Sequence, residues 1–218
     1  MQPYFFPYIG YFQMINAVDE FVLYDDVNYI KRGWVHRNQI LIGNEPKYIS
    51  CSINKPSQNK KINETYIHSD RKWKNSILKT IDLNYKRSPY FVKVFSLVAD
   101  CLNSDSKTIA QLNELGIKMI CDYLDITTKI TKSSELETSD LHGSKRIIDI
   151  CKKKSAKCYI NAPGGKHLYD QKNFGDIDLK FIHMKQIPSN FPYLSIIHQM
   201  MTYSKSDIYG WLNSFYLE

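Results

Sequence analysis

Residues 127–165 read TTKITKSSELETSDLHGSKRIIDICKKKSAKCYINAPGG. The stretch divides into a strand at 127–131, a helix at 144–154 and a strand at 157–161, ended by the turn Ala162-Pro163-Gly164-Gly165. Such a β-α-β unit usually joins parallel strands, and in open parallel sheets ligands bind outside the carboxyl ends of the strands. A further strand at 179–184 follows, and two short helices, 195–203 and 206–217, close the chain. Upstream, Phe21, Val22, Leu23 and Tyr24 form an uninterrupted apolar run. Residues 20–24 therefore read as a strand buried on both faces, ending in the acid pair Asp25 and Asp26. Shorter strands are expected at 38–42 and 47–53, with a polar surface loop over 54–63.

Between these lies a helical middle. Trp73, Ile77, Leu78 and Ile81 recur at helical spacing, as do Phe91, Val94, Phe95 and Val98. A third helix is expected over 107–124, with Ser106 as its N-cap and Gly116 as a weak point. The pattern predicts an α/β domain spanning 1–218, with a mostly parallel central sheet, flanking helices and a helical middle segment.

A chain of 218 residues with 43% hydrophobic and 23% charged residues can bury a core without disulfides or metals. Five cysteines without a C-x-x-C pair fit a reducing cytoplasm better than a disulfide framework. The opening MQPYFFPYIGYFQMI lacks a basic n-region and is broken by Pro3, Pro7 and Gly10, so it does not read as a signal peptide. No apolar run approaches the roughly 20 residues that span a bilayer. A soluble cytoplasmic protein is expected. The net charge of +7 is carried by Lys far more than Arg, and only Arg reads bases and phosphates bidentately. A solvated lysine surface explains it better than nucleic-acid binding, although the basic segment 55–87 offers a face for tRNA.

Candidate chemistry concentrates in residues 24–38. Asp25 and Asp26 follow the buried strand directly; Lys31, Arg32, Trp34, His36, Arg37 and Asn38 come soon after. His36 is the best general base by its ordinary pKa, with Asp25 or Asp26 orienting it or binding a sugar hydroxyl or substrate ammonium. Lys31 and Arg37 suit phosphate or carboxylate, and Trp34 offers a stacking face. The plainer alternative is a hairpin whose charges pair among themselves.

A second candidate runs from Tyr159 to Tyr169. Gly164 and Gly165 leave backbone amides open to an anion, Lys166 adds charge and Tyr169 closes the stretch; an ordinary Pro-Gly-Gly turn is the simpler reading. Neither Walker A nor G-x-G-x-x-G occurs. Third is the aromatic opening, whose Gln2 and Tyr8 can reach a ligand in the crevice beside Asp25, unless it merely packs. The histidines lack H-x-x-x-H or H-E-x-x-H spacing, so no metal is expected. A nucleophilic cysteine with a distant histidine stays open.

Met1-Gln2-Pro3-Tyr4-Phe5-Phe6-Pro7-Tyr8-Ile9-Gly10-Tyr11-Phe12, then Asp25-Asp26-Val27, Lys31-Arg32-Gly33-Trp34 and Arg37-Asn38 together resemble the WbqC-like family. The resemblance continues through Ser133-Ser134-Glu135-Leu136, Pro163-Gly164-Gly165-Lys166 and Leu194-Ser195-Ile196-Ile197. It implies a role in bacterial O-antigen or related surface-polysaccharide synthesis, with glycine transfer suggested. It also implies a first strand beginning several residues before Gln-Pro-Tyr. His36 stands where the family pattern has Asn, and His198 where it has Asp.

The leading expectation is an enzyme placing an aminoacyl group, glycine by the resemblance, on a nucleotide-linked or lipid-linked amino sugar. Its activated amino-acid donor would be a carrier-protein thioester, a tRNA ester or an adenylate; no other cofactor is identified. The alternatives are a non-catalytic sugar-nucleotide or glycan-binding protein, and a nucleotide-using amino-acid ligase. The ligase reading rests on a loose likeness to nucleotidyltransferase-type domains, in which Tyr8-Ile9-Gly10-Tyr11 has H-x-G-H spacing but tyrosines for both histidines.

Overall fold

In chain order, the computed structural model has α1 (Ile9–Asn16), β1 (Glu20–Leu23), β2 (Arg37–Ile42), β3 (Glu45–Ser50), α2 (Lys72–Tyr85), α3 (Phe91–Asn103), α4 (Ile109–Tyr123) and β4 (Lys129–Lys132). There follow α5 (Gly143–Lys153), β5 (Cys158–Asn161), the single turn α6 (Gln171–Phe174), β6 (Asp178–Met184), α7 (Ile196–Thr202), α8 (Lys205–Leu212) and β7 (Phe215–Leu217). The structure describes residues 1–137 and 141–218.

The expected α/β class holds, with parallel pairing in two short pairs. β1 runs parallel to β4, and β5 parallel to β6. The sheet is nevertheless divided: β4 and β1 form one sheet, β5, β6 and β7 another, and β2 with β3 a separate hairpin. Gly43 and Asn44, both at positive φ, make the hairpin's two-residue turn, whose backbone matches the twist of the flanking strands.

Other departures have local causes. β1 is not buried on both faces: Phe21 and Leu23 are buried, but Glu20 and Val22 line a cavity. Thr108, not Ser106, caps α4, accepting from the Gln111 amide in a capping box. The glycine in that helix marks a close approach, since a Cβ on Gly116 would lie 3.2 Å from Cys101 Sγ and 3.5 Å from the Phe6 ring. The final helix stops at Leu212 instead of 217. Phe215–Leu217 pairs antiparallel with the free edge of β6, and Glu218 exchanges both backbone hydrogen bonds with Phe181.

The core is built around α1, whose Ile9, Tyr11, Phe12 and Ile15 are fully buried. Gln13 is buried too, and its amide donates to the carbonyls of Trp211 and Ser214 at 2.8 and 3.1 Å. These carbonyls also accept from the Ser214 and Lys185 amides, so Gln13 adds a second donor to each and ties α1 to the segment that follows α8. Among the described residues, no helix is long and apolar enough to cross a membrane.

Candidate active site

The chain leaving β1, β4 and β5 at their carboxyl ends surrounds one cavity of about 1070 Å³, which is where a parallel α/β arrangement places ligands. Tyr24, Asp26 and Asn28 come from β1's exit, Ser134 from β4's, and Asn161 and Tyr169 from β5's. The start of α5 adds Gly143, Ser144 and Arg146. Gln2 and Tyr4 contribute from the opening segment, and Lys61 from the loop before α2.

The opening segment is fixed by buried donors rather than by secondary structure. Asn113 Nδ2 donates to the carbonyls of Pro3 and Val35 at 2.9 and 2.7 Å. Asn38 Nδ2 donates to those of Phe5 and Phe6 at 3.1 and 2.8 Å, and Ser195 Oγ to that of Phe6 at 2.7 Å. Phe6 sits at φ +43, an unfavourable backbone for a bulky residue that this set of bonds holds in place. The segment after β1 is held likewise: Tyr29, Ile62 and Asn63 amides donate to the carbonyls of Lys60, Val27 and Asp25.

The two acids divide. Asp25 is buried, and its carboxylate accepts from Ser133 Oγ, the Ser134 amide and Ser134 Oγ at 3.2, 3.0 and 2.8 Å. It is spent on fixing the turn after β4. Asp26 accepts from Ser133 Oγ, forms an ion pair with Arg146 and faces the cavity. The Arg146 guanidinium lies 5.0 Å from the centre of the Tyr24 ring, a cation–π stack. Carboxylate, guanidinium and phenol thus meet at one wall. In the same cavity the Tyr159 hydroxyl donates to that of Tyr169 at 3.4 Å. Burial pushes the Tyr159 hydroxyl well above its ordinary pKa, with the neighbouring Tyr169 adding to the effect, so it is neutral at pH 7 and keeps the proton it donates to Tyr169.

Of the residues expected at the site, Gln2, Asp26 and Tyr169 line this cavity, and Asp25, outside the lining, bonds Ser134, which is part of it. The others lie outside its lining. His36 Nδ1 bonds the Tyr29 hydroxyl at 2.8 Å, and burial together with Arg37 lowers its pKa. Asn38 is the clamp just described. Trp34 and Arg37 both lie against Tyr48, with ring centres 6.2 Å apart and the guanidinium 4.2 Å from the ring, while Lys31 is exposed. Tyr8 faces Tyr193, 6.1 Å between ring centres. The Gly165 amide donates to the Ala162 carbonyl inside a 3₁₀ turn, and Lys166 pairs with Glu218. Gly164 lies in the same turn, and a Cβ there would meet nothing.

Tyr24, Tyr159 and Asn161 fall within the two expected stretches without having been singled out there, whereas Lys61 and Arg146 lie outside both. Arg146 carried a readable signal, because it is one of only five Arg in the chain and sits in the first turns of the crossover helix. The cysteines are poor nucleophiles: burial raises all five thiols, those of Cys101 and Cys121 to about 12.

The model of the WbqC-like protein family matches residues 2–209. The chain is also 28% identical over 182 residues to Uncharacterized protein Rv1507c of Mycobacterium tuberculosis (strain ATCC 25618 / H37Rv), a match covering 83% of this chain and 78% of that protein. No solved structure matches it. Since the family model spans nearly the whole chain, the protein belongs to the WbqC-like protein family.

Proposed function

We propose that this protein transfers an aminoacyl group, glycine being the suggested one, to the amine of a nucleotide-linked or lipid-linked amino sugar in surface-polysaccharide synthesis. The observation that carries the reading is the composition of the cavity wall. Tyrosine faces suit sugar and base rings, the Gln2, Asn28 and Asn161 amides suit hydroxyls and acyl oxygens, and Lys61 with Arg146 suits phosphate. Asp26 is the carboxylate placed to receive an amine.

In the reaction, the neutral sugar amine attacks the activated carbonyl carbon. A C–N bond forms, the bond from that carbon to the donor's sulfur or oxygen breaks, and the amine's proton passes to Asp26 and on to the departing group. Arg146 holds the Asp26 carboxylate in place. The Tyr169 hydroxyl, which accepts from Tyr159, supplies a hydrogen bond to negative charge developing on the acyl oxygen.

Purified protein incubated with a UDP- or dTDP-linked amino sugar and a glycyl donor, followed by mass spectrometry of the sugar, tests the proposal. A gain equal to one glycyl residue, lost in Asp26→Asn, is expected. Tight sugar-nucleotide binding without product across thioester, tRNA-ester and adenylate donors would instead leave a binding protein. ATP consumption that depends on an amino acid would indicate the ligase.

A further inference from the structure

The loop that leaves the cavity after Asn28 carries an exposed shelf of rings and cations. Ile30 lines the cavity, and its carbonyl accepts from the Gly33 amide at 3.3 Å. Such a turn brings its end residues within about 7 Å, so the Trp34 Cα lies no more than about 11 Å from that of Ile30. Lys31 and Arg32, at the corner, are exposed.

The shelf is fixed from beneath. The Trp34 carbonyl accepts from the Phe5 amide at 3.0 Å, and the Val35 carbonyl from Asn113. Arg32 sits at φ +60, and its carbonyl accepts from the Arg37 guanidinium. In the β2–β3 pair Asn38 and Ile49 are buried, so Arg37 and Tyr48 lie diagonally across its outer face. The guanidinium covers part of the Tyr48 ring, and the Trp34 ring extends the surface beside it. Both rings stay open to solvent, 43% for Trp34 and 47% for Tyr48.

The charge around these rings has one sign. Residues 27–63 hold seven Lys or Arg against one acid, Glu45. Glu45 pairs with Lys47 and stands five residues along β3 from Ser50, about 17 Å from the Arg37 end of the hairpin. Lys60 and Lys61 are brought alongside the loop, because the Tyr29 amide donates to the Lys60 carbonyl and Asn28 bridges Lys61. Among the described residues, Lys31, Arg32, Arg37, Lys60 and Lys61 form no ion pair with a carboxylate.

We propose that this shelf binds a single-stranded RNA end, the acceptor end of an aminoacyl-tRNA. Bases stack on Trp34 and Tyr48, phosphates meet Lys31, Arg32 and Lys60, and the 3′-terminal ester reaches the cavity past Ile30 and Lys61. The inference rests on the proposed transfer and names its donor. The bond broken is then that from the carbonyl carbon to the terminal ribose oxygen, which leaves with the proton passed on by Asp26. Cations that track a backbone beside rings that accept any base are what single strands need. An acidic carrier protein would use the cations and leave the rings unpartnered. An adenylate carries a single phosphate, which Lys61 serves inside the cavity.

Fluorescence anisotropy with a labelled single-stranded RNA of about twelve nucleotides ending in CCA tests the proposal. It compares wild type, Trp34→Ala, Arg32→Gln and, as a control on α8, the exposed Tyr209→Ala, each with native circular dichroism. Wild type and Tyr209→Ala should bind alike, and each shelf variant about tenfold more weakly. With three phosphates engaged, raising salt from about 50 to 200 mM should lower affinity about 20-fold. Absence of binding at the lower salt, or equal affinity in wild type and Trp34→Ala, would overturn the proposal. So would equal displacement of the RNA by polyglutamate of the same charge, or glycyl transfer from a carrier thioester with none from glycyl-tRNA. The anisotropy involves no sugar, so RNA binding lost in Trp34→Ala supports the shelf even where no amino sugar is aminoacylated.

Discussion

Asp26 and Arg146, 120 positions apart in sequence, form an ion pair at the wall of the cavity of about 1070 Å³, their side chains only 13% and 9% exposed. The pair joins the exit of β1 to the crossover helix that leads into β5, so chemistry and fold meet in one contact. The carboxylate and the guanidinium are held there by each other and by Ser133 and Tyr24. Removing either partner strands the other, which costs about 3–5 kcal/mol when such a pair is fully buried and somewhat less here.

Asn113 holds the carbonyls of Pro3 and Val35 from within the core, far from any ligand. Asn113→Ala leaves two buried acceptors unpaired and should destabilise the protein by about 3 kcal/mol, measured by urea denaturation. Because Pro3 lies between Gln2 and Tyr4, the same variant should also weaken sugar-nucleotide binding. Asn113→Asp should be worse still, since its carboxylate faces the same two carbonyls without donors.

Acid should destabilise the protein earlier than its carboxylates alone would make it. Burial lowers His198 from an ordinary 6.5 to about 4, with its Nδ1 held 3.1 Å from the Tyr85 hydroxyl. The unfolded chain therefore takes up a proton below 6.5 that the folded chain refuses. Stability is full above that value and falls by up to about 1.4 kcal/mol per pH unit down to about 4. Denaturant midpoints against pH should show this slope, and His198→Gln should flatten it.

The Pro-Gly-Gly turn predicts a different kind of effect. Gly165 is where a Cβ would come within 2.7 Å of Asn161 Nδ2. Gly165→Ala should displace the Asn161 amide from the cavity wall and weaken ligand binding several-fold, read by calorimetry, while Tm shifts by only a few degrees. Gly164→Ala, with nothing near its added carbon, is the control and should change neither.

Much of the architecture was legible because it rests on local patterns. The apolar run at Phe21, the helical spacing around Ile77 and Val94, and the strand–helix–strand order ending at Pro163 all fall where the structure has them. The division of the sheet was not legible, since strand neighbours are decided by contacts between distant segments. Nor was the fate of Phe215, whose pairing with Met184 outweighs a weak helical tendency. At the site, proximity in sequence was a poor guide to proximity in space. His36 lies ten residues after Asp26 yet bonds Tyr29, whereas Arg146 is brought to that acid by the fold. Asn38 looked like a ligand-binding amide and is a clamp, because an amide side chain satisfies backbone carbonyls as readily as substrate hydroxyls.

The central claim is that the cavity walled by Asp26 and Arg146 receives the sugar substrate. Titration calorimetry with a UDP- or dTDP-linked amino sugar tests it most directly, using wild type, Arg146→Met and His36→Asn, each first checked for native circular dichroism. Binding by wild type and His36→Asn, weakened at least about tenfold in folded Arg146→Met, a loss of about 1.4 kcal/mol, is the expected result. Equal affinity in all three, or loss in His36→Asn alone, would contradict it and move the site away from this cavity.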